Sequence, residues 1–107
     1  MYSPTNRERR VGLALDVHVT GRDALGRPFS ERTRSVNISG GGICFESHQQ
    51  LALGDQLQLA IELPPRLRAH FQGKDVYRAR AVVCRVEHFE GAPGYRVGAR
   101  FLAETAV

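Results

Sequence analysis

The stretch from Gln56 to Leu63 most narrows what this chain can become. Leu57, Leu59, Ile61 and Leu63 alternate with Gln56, Gln58, Ala60 and Glu62. A period of two sends one set to each face of an extended strand, whereas a helix would scatter the apolar set around its circumference. Pro64-Pro65 ends the run, because proline offers no N–H to a ladder. The same period returns at Leu13 to Thr20, where Leu13, Leu15, Val17 and Val19 oppose Ala14, Asp16, His18 and Thr20. It returns again at Tyr95 to Phe101, with Tyr95, Val97, Ala99 and Phe101 inward and Gly98 outward, marking a bend or a close approach.

Three further runs read as strands. Phe29 to Ile38 is polar early and apolar at Val36 and Ile38, the pattern of an exposed or edge strand. Gly42 to Ser47 turns Ile43 and Phe45 to the core. Val76 to Phe89 becomes apolar on both faces midway, which predicts a bend with a β-bulge. Gly and Pro punctuate 21–28, 51–55 and 90–94, and Leu67 with Phe71 gives the 66–74 loop material for one short helical turn. Residues 102–107 read as a short tail with room for a helical turn. Short strands, regular turns and no long helix predict an all-β domain, a small antiparallel β-barrel whose closure removes sheet edges. At 107 residues the chain has the size of one domain with one core.

Composition excludes several classes. Lys+Arg outnumber Asp+Glu by 15 to 11, and Lys74 is the one lysine. Arginine suits planar, bidentate recognition of phosphates and guanine edges, yet a net charge of +4 is too mild to mark a nucleic-acid groove. With no Trp and most Tyr and Phe inward, a barrel that stacks single-stranded DNA or RNA is disfavoured. His18, His48, His70 and His88 are scattered, and neither Cys44 nor Cys84 sits in a zinc-type spacing, so no metal site and no cofactor is read. Both cysteines fall in strand runs and read as core or near-core residues. No carboxylate pair or nucleophile–base set has supporting context, so no enzyme is expected. No apolar run reaches the ~20 residues of a membrane span, and Met1 to Arg10 has no signal-peptide core; a cytoplasmic location is the expectation.

Two segments remain unabsorbed by the core. Met1 to Arg10 reads as a flexible arm with Arg7, Arg9 and Arg10 clustered at its end. Asn37-Ile38-Ser39-Gly40-Gly41-Gly42 joins two strands. Its glycines permit either φ > 0 or close approach of another group to the main chain. The turn is therefore either a plain connection or one that displays Asn37 and Ser39 to a polar ligand.

Taken together, the arginines before Val11-Gly12-Leu13, the Asn-x-Ser-x-x-Gly turn, the Leu53-Gly54-Asp55 to Pro64 strand and the ending Tyr95-Arg-Val-Gly-Ala-Arg-Phe101 resemble a PilZ domain, the bacterial receptor module for cyclic di-GMP (c-di-GMP). The resemblance runs from Arg7 to Phe101. It implies a six-stranded antiparallel β-barrel over residues 13–102, a ligand-gripping arm over 1–12 and a tail over 103–107. It further implies a c-di-GMP site made of Arg7, Arg9, Arg10, Asn37, Ser39, Gly41 and Gly42. In the family register Arg10 takes the second position of an Arg-x-x-x-Arg loop and Asn6 the first, with Arg7 one residue late. Asn37 would accept from guanine N–H groups, Ser39 would donate to the ligand, and Gly42 would keep the turn open. The resemblance implies signalling to an unidentified partner protein. The alternative is a PilZ-like adaptor, of a motility or pilus type, that binds no nucleotide.

Overall fold

The computed structural model describes residues 12–104. Six strands appear in chain order: β1 (Asp16–Arg22), β2 (Pro28–Ile38), β3 (Gly42–Ser47), β4 (Gln56–Glu62), β5 (Val76–His88) and β6 (Tyr95–Glu104). They close in the order β1-β2-β3-β6-β5-β4, every neighbouring pair antiparallel. The expected six-stranded antiparallel barrel is the observed one.

Alternation builds the core. Val17 and Val19 from β1, Leu57, Leu59 and Ile61 from β4, and Val97 and Ala99 from β6 all face inward. Phe45, with no exposed surface, lies among them. Burying a side chain of that size contributes roughly 1.5–3 kcal/mol. One helical turn, α1 (Pro65–Arg68), follows β4 and tightens into a 3-10 turn over Ala69–Phe71. Pro65 suits the first helical position, where no N–H is needed. Phe71 then packs on Tyr77, ring centroids 4.8 Å apart, and Tyr77 on Phe101 at 5.3 Å, so three aromatics stop one mouth of the barrel.

Four expectations need correction. The strand expected from Leu13 starts at Asp16; residues 13–15 are instead bonded to β2 individually. Phe29 to Ile38 is exposed at Ser30, Arg32 and Arg34 but is not an edge, because β2 pairs with β1 on one side and β3 on the other. The polar residues between them have another cause: Glu31 accepts from the Ser47 hydroxyl at 2.7 Å and the His48 N–H at 2.8 Å, and Thr33 donates to the Glu46 carbonyl. The run expected to end at Phe101 continues as strand to Glu104, because β5 is long enough to offer Ala79 and Arg80 as partners. Cys44 is buried as expected, but Cys84 is exposed. The bulge predicted in β5 explains it: Val83 faces Ala99 and Arg85 faces Gly98, so Cys84 is the extra residue. From there the facing pattern inverts and Val86 packs against the core.

A glycine turn on an outer face

Antiparallel order gathers the start of β1, the β2–β3 turn and the end of β6 at one end of the barrel. The β2–β3 turn carries the candidate residues. A second bulge governs their display. Ser35 pairs with Phe45 and Asn37 with Cys44, leaving Val36 without a partner in β3. Ser35 therefore faces inward beside Phe45, while Asn37 faces outward and Ile38 returns to the core at 2% exposure.

Ser39 is buried at 5% exposure and braces the turn. Its hydroxyl oxygen accepts from the Gly41 and Gly42 N–H groups, each at 3.2 Å, and its own N–H donates to the Gly42 carbonyl at 2.9 Å. The hydroxyl proton has only a 3.5 Å approach to that carbonyl. At that length the bond is weak, so the proton can be given to a better acceptor. Phe101 N–H donates to the Gly41 carbonyl at 2.9 Å and pins the turn to β6. Of the two roles open to the glycines, close approach is the one used at Gly42. A Cβ there would stand 2.5 Å from the Ala99 carbonyl oxygen. The glycines with positive φ are Gly26, Gly54, Gly73 and Gly91, all outside this turn.

The segment leading into β1 is fastened beside the same turn. Ser35 Oγ accepts from the Leu15 N–H at 2.8 Å and donates to the Leu13 carbonyl. Ser35 N–H donates to the Leu15 carbonyl at 2.9 Å, and Leu13 N–H to the Val36 carbonyl at 3.2 Å. Arg7, Arg9 and Arg10 lie outside the described residues.

Around the outer face, direct pairing lines up Asn37, Cys44, Gly98 and Arg85 across β2, β3, β6 and β5. The next row holds Gly42 beside Arg100. The sequence reading gave Arg85 and Arg100 no role. Arg100 was findable, since it shares the outward set of Tyr95 to Phe101 with Gly98; Arg85 was not, because its facing depends on the Cys84 bulge. Among the described residues no group of three or more His, Cys, Asp or Glu could hold a metal, and no helix is long and apolar enough to cross a membrane.

The closed barrel and its serine-braced glycine turn define a small β-barrel of the PilZ type. The PilZ domain model matches residues 4–106, and the chain belongs to that family. Among solved structures, the Bacillus subtilis inhibitor of motility MotI/DgrA is 23% identical with a TM-score of 0.70, covering 94% of this chain and 44% of that one. MrkH of K. pneumonia in its apo state is 17% identical with a TM-score of 0.59, covering 96% of this chain and 44% of that one. Its complex with c-di-GMP gives 18%, 0.59, 92% and 44%. The chain thus spans under half the length of these proteins, and at such identities the likeness is one of fold. No curated protein matches the chain.

Proposed function

We propose that this protein is a c-di-GMP-binding receptor module whose arginine-bearing leader closes over the Asn37–Gly42 turn and so creates a surface for a partner protein. One observation carries the reading: Leu13 and Leu15 are bonded to Ser35 and Val36, immediately before Asn37. Arg10 is three residues ahead of Leu13, so its Cα lies within ~11 Å of that anchor whatever path the backbone takes. On the same tether Arg9 lies within ~14 Å and Arg7 within ~22 Å. Family membership supports the ligand class, and a fold neighbour is described as a c-di-GMP complex.

The ligand carries two phosphodiester charges and two guanines. Arg10 and Arg7, with Arg9 beside them, supply forked donors for phosphate or for guanine O6 and N7. Asn37 offers an amide oxygen to guanine N–H donors, and Ser39 gives its weakly held proton to a ligand oxygen. Gly41 and Gly42 keep the turn low against β6. None of these groups has to move a proton or attack an atom, which fits a receptor rather than an enzyme.

Titration calorimetry with c-di-GMP tests the reading. Saturable heat is expected, and Arg10→Ala should weaken binding by ~2 kcal/mol or more, about 30-fold, as loss of a charge-assisted contact does. No heat at high micromolar ligand sinks it. The second reading, an adaptor that binds no nucleotide, is favoured by Asn6 in the first arginine position. Recovery of the same partner with and without c-di-GMP would select it.

A further inference from the structure

We propose that the side of the barrel opposite β3 and β6 docks an extended acidic segment of a partner protein, held between Arg32 on one bank and Arg78 and Arg80 on the other. In the closed order β1 and β4 are neighbours on that side. Two cavities lie end to end along their seam, ≈ 400 Å³ over His18 and Ala60 and ≈ 550 Å³ over Thr20 and Gln58. Together they form one trough parallel to the strands. It is built from β1, β2, β4 and β5 alone, so it stands ready without c-di-GMP and is separate from the ligand-made surface proposed above.

The register of the strands places the charges. One outward row runs Arg32, His18, Ala60, Arg78 across β2, β1, β4 and β5, and the next runs Ser30, Thr20, Gln58, Arg80. His18, Thr20 and Ala60 are half-buried and form a low floor, whereas Arg32, Arg78 and Arg80 stand exposed at its sides. The banks are three strand spacings of ~4.8 Å apart, roughly 14 Å, which leaves room for one extended chain with side chains turned to both. Arg78 and Arg80 are two residues apart, ~6.8 Å along β5. Carboxylates at alternate positions of an extended segment repeat at that same interval, and the residue between them points to the other bank, toward Arg32. Three consecutive Asp or Glu residues therefore meet three guanidinium forks, each able to hold a carboxylate by two parallel bonds. These two rows contain no carboxylate of their own. Acidic residues stand instead at the ends of the trough, Asp16 and Glu62 at one and Asp55, beside Arg22, at the other. Asp16 is 3.9 Å from Arg34, and Asp55 accepts from the Ala52 N–H at 2.8 Å. This alternation of charge complements a short acidic run with neutral or basic flanks. A nucleic-acid backbone would carry its charge onward over both acidic ends. Among the described residues neither Phe nor Tyr lines either cavity to stack a base.

The test follows the fluorescence anisotropy of a labelled Lys-Gly-Glu-Glu-Glu-Gly-Lys peptide titrated with the full chain at low salt, where exposed ion pairs are least screened. Saturable binding is expected, about tenfold or more tighter than for the same peptide with Gln in place of Glu. The double variant Arg78→Ala/Arg80→Ala, with unchanged melting, should weaken it roughly fivefold, and Arg32→Ala roughly twofold, as the loss of exposed ion pairs allows. Arg66→Ala removes the same charge from an exposed position on α1 and should leave binding as it was. If it weakened the peptide as much as Arg32→Ala does, the attraction would be to net charge and the trough would be overturned. A duplex of about 12 base pairs that bound more tightly than the peptide, and was lost in the same variants, would make this a nucleic-acid surface instead. Displacement of the peptide by c-di-GMP would move it to the turn, and no binding at millimolar peptide would end the proposal; neither result would touch the receptor reading, which the calorimetric titration decides by itself.

Discussion

Replacing Gly42 by alanine isolates the reason a glycine stands at the end of the turn. The added Cβ would sit 2.5 Å from the Ala99 carbonyl oxygen and 3.4 Å from Arg100 Cα. Both neighbours are backbone, so no side chain can rotate away and β3 must lift from β6. The pairs Gly42–Arg100 and Ile43–Ala99 lie at that point, and the 2.9 Å bonds from Ser39 N–H to Gly42 and from Phe101 N–H to Gly41 flank it. Overpacking typically costs 1–3 kcal/mol, and forced backbone movement argues for the upper half, about 2–3 kcal/mol. At ~4–8 °C per kcal/mol for a domain near this size, the melting temperature should fall by about 8–24 °C. Gly40→Ala is the control. Nothing lies within 4 Å of its Cβ position and its φ is not positive. It should be neutral or stabilise by ~0.4–1 kcal/mol through the unfolded chain. Thermal melts followed by circular dichroism distinguish the two. If Gly42→Ala melted within about 3 °C of the parent, the close approach of β3 and β6 would not be what demands glycine.

Ser35→Ala should leave the Leu15 N–H and the Leu13 carbonyl without their side-chain partner, costing about 1–3 kcal/mol. Faster amide exchange at Leu15 with the β1–β4 ladder still protected would report it, and unaltered exchange would refute the tether. Cys84 is an exposed thiol on β5 in a cavity it shares with Gly41 and Gly42 of the turn, and Cys44 is buried. Iodoacetamide should therefore modify Cys84 first, and saturating c-di-GMP should slow that reaction several-fold; an undiminished rate would place the ligand elsewhere.

The fold was legible where one face of a strand had to be apolar. Leu57, Leu59 and Ile61, or Val97 and Ala99, can satisfy their burial in one facing only, and each landed inward. What could not be read was anything set by a partner strand. Val36 and Cys84 are extra residues relative to their neighbours across the ladder, and a bulge is defined by that mismatch. Hence the sequence alone reads Cys84 as a core or near-core residue and leaves the facing of Arg85 undetermined. The inward polar residues of β2 misled for a related reason. Glu31 and Thr33 read as exposed or edge positions until Ser47, His48 and Glu46 are brought beside them. At the turn, the glycines announced close approach or unusual backbone without saying which; only the position of the Ala99 carbonyl decides for Gly42.

The bulge at Val36 is where fold and candidate site become one feature. Inward facing of Ser35 is needed to pair beside Phe45 and to hold Leu13 and Leu15. Inward facing of Ile38 is needed by the core. Three residues apart, the two cannot both face inward on a regular strand, because the side-chain period is two. Inserting one unpaired residue resolves the conflict and leaves Asn37 outward. The residue inserted has no partner in β3, and its carbonyl accepts the Leu13 N–H. A single irregularity thus turns Asn37 to the surface and roots the preceding chain beside it. A regular strand in its place would have to give up either the tether or the core contact of Ile38.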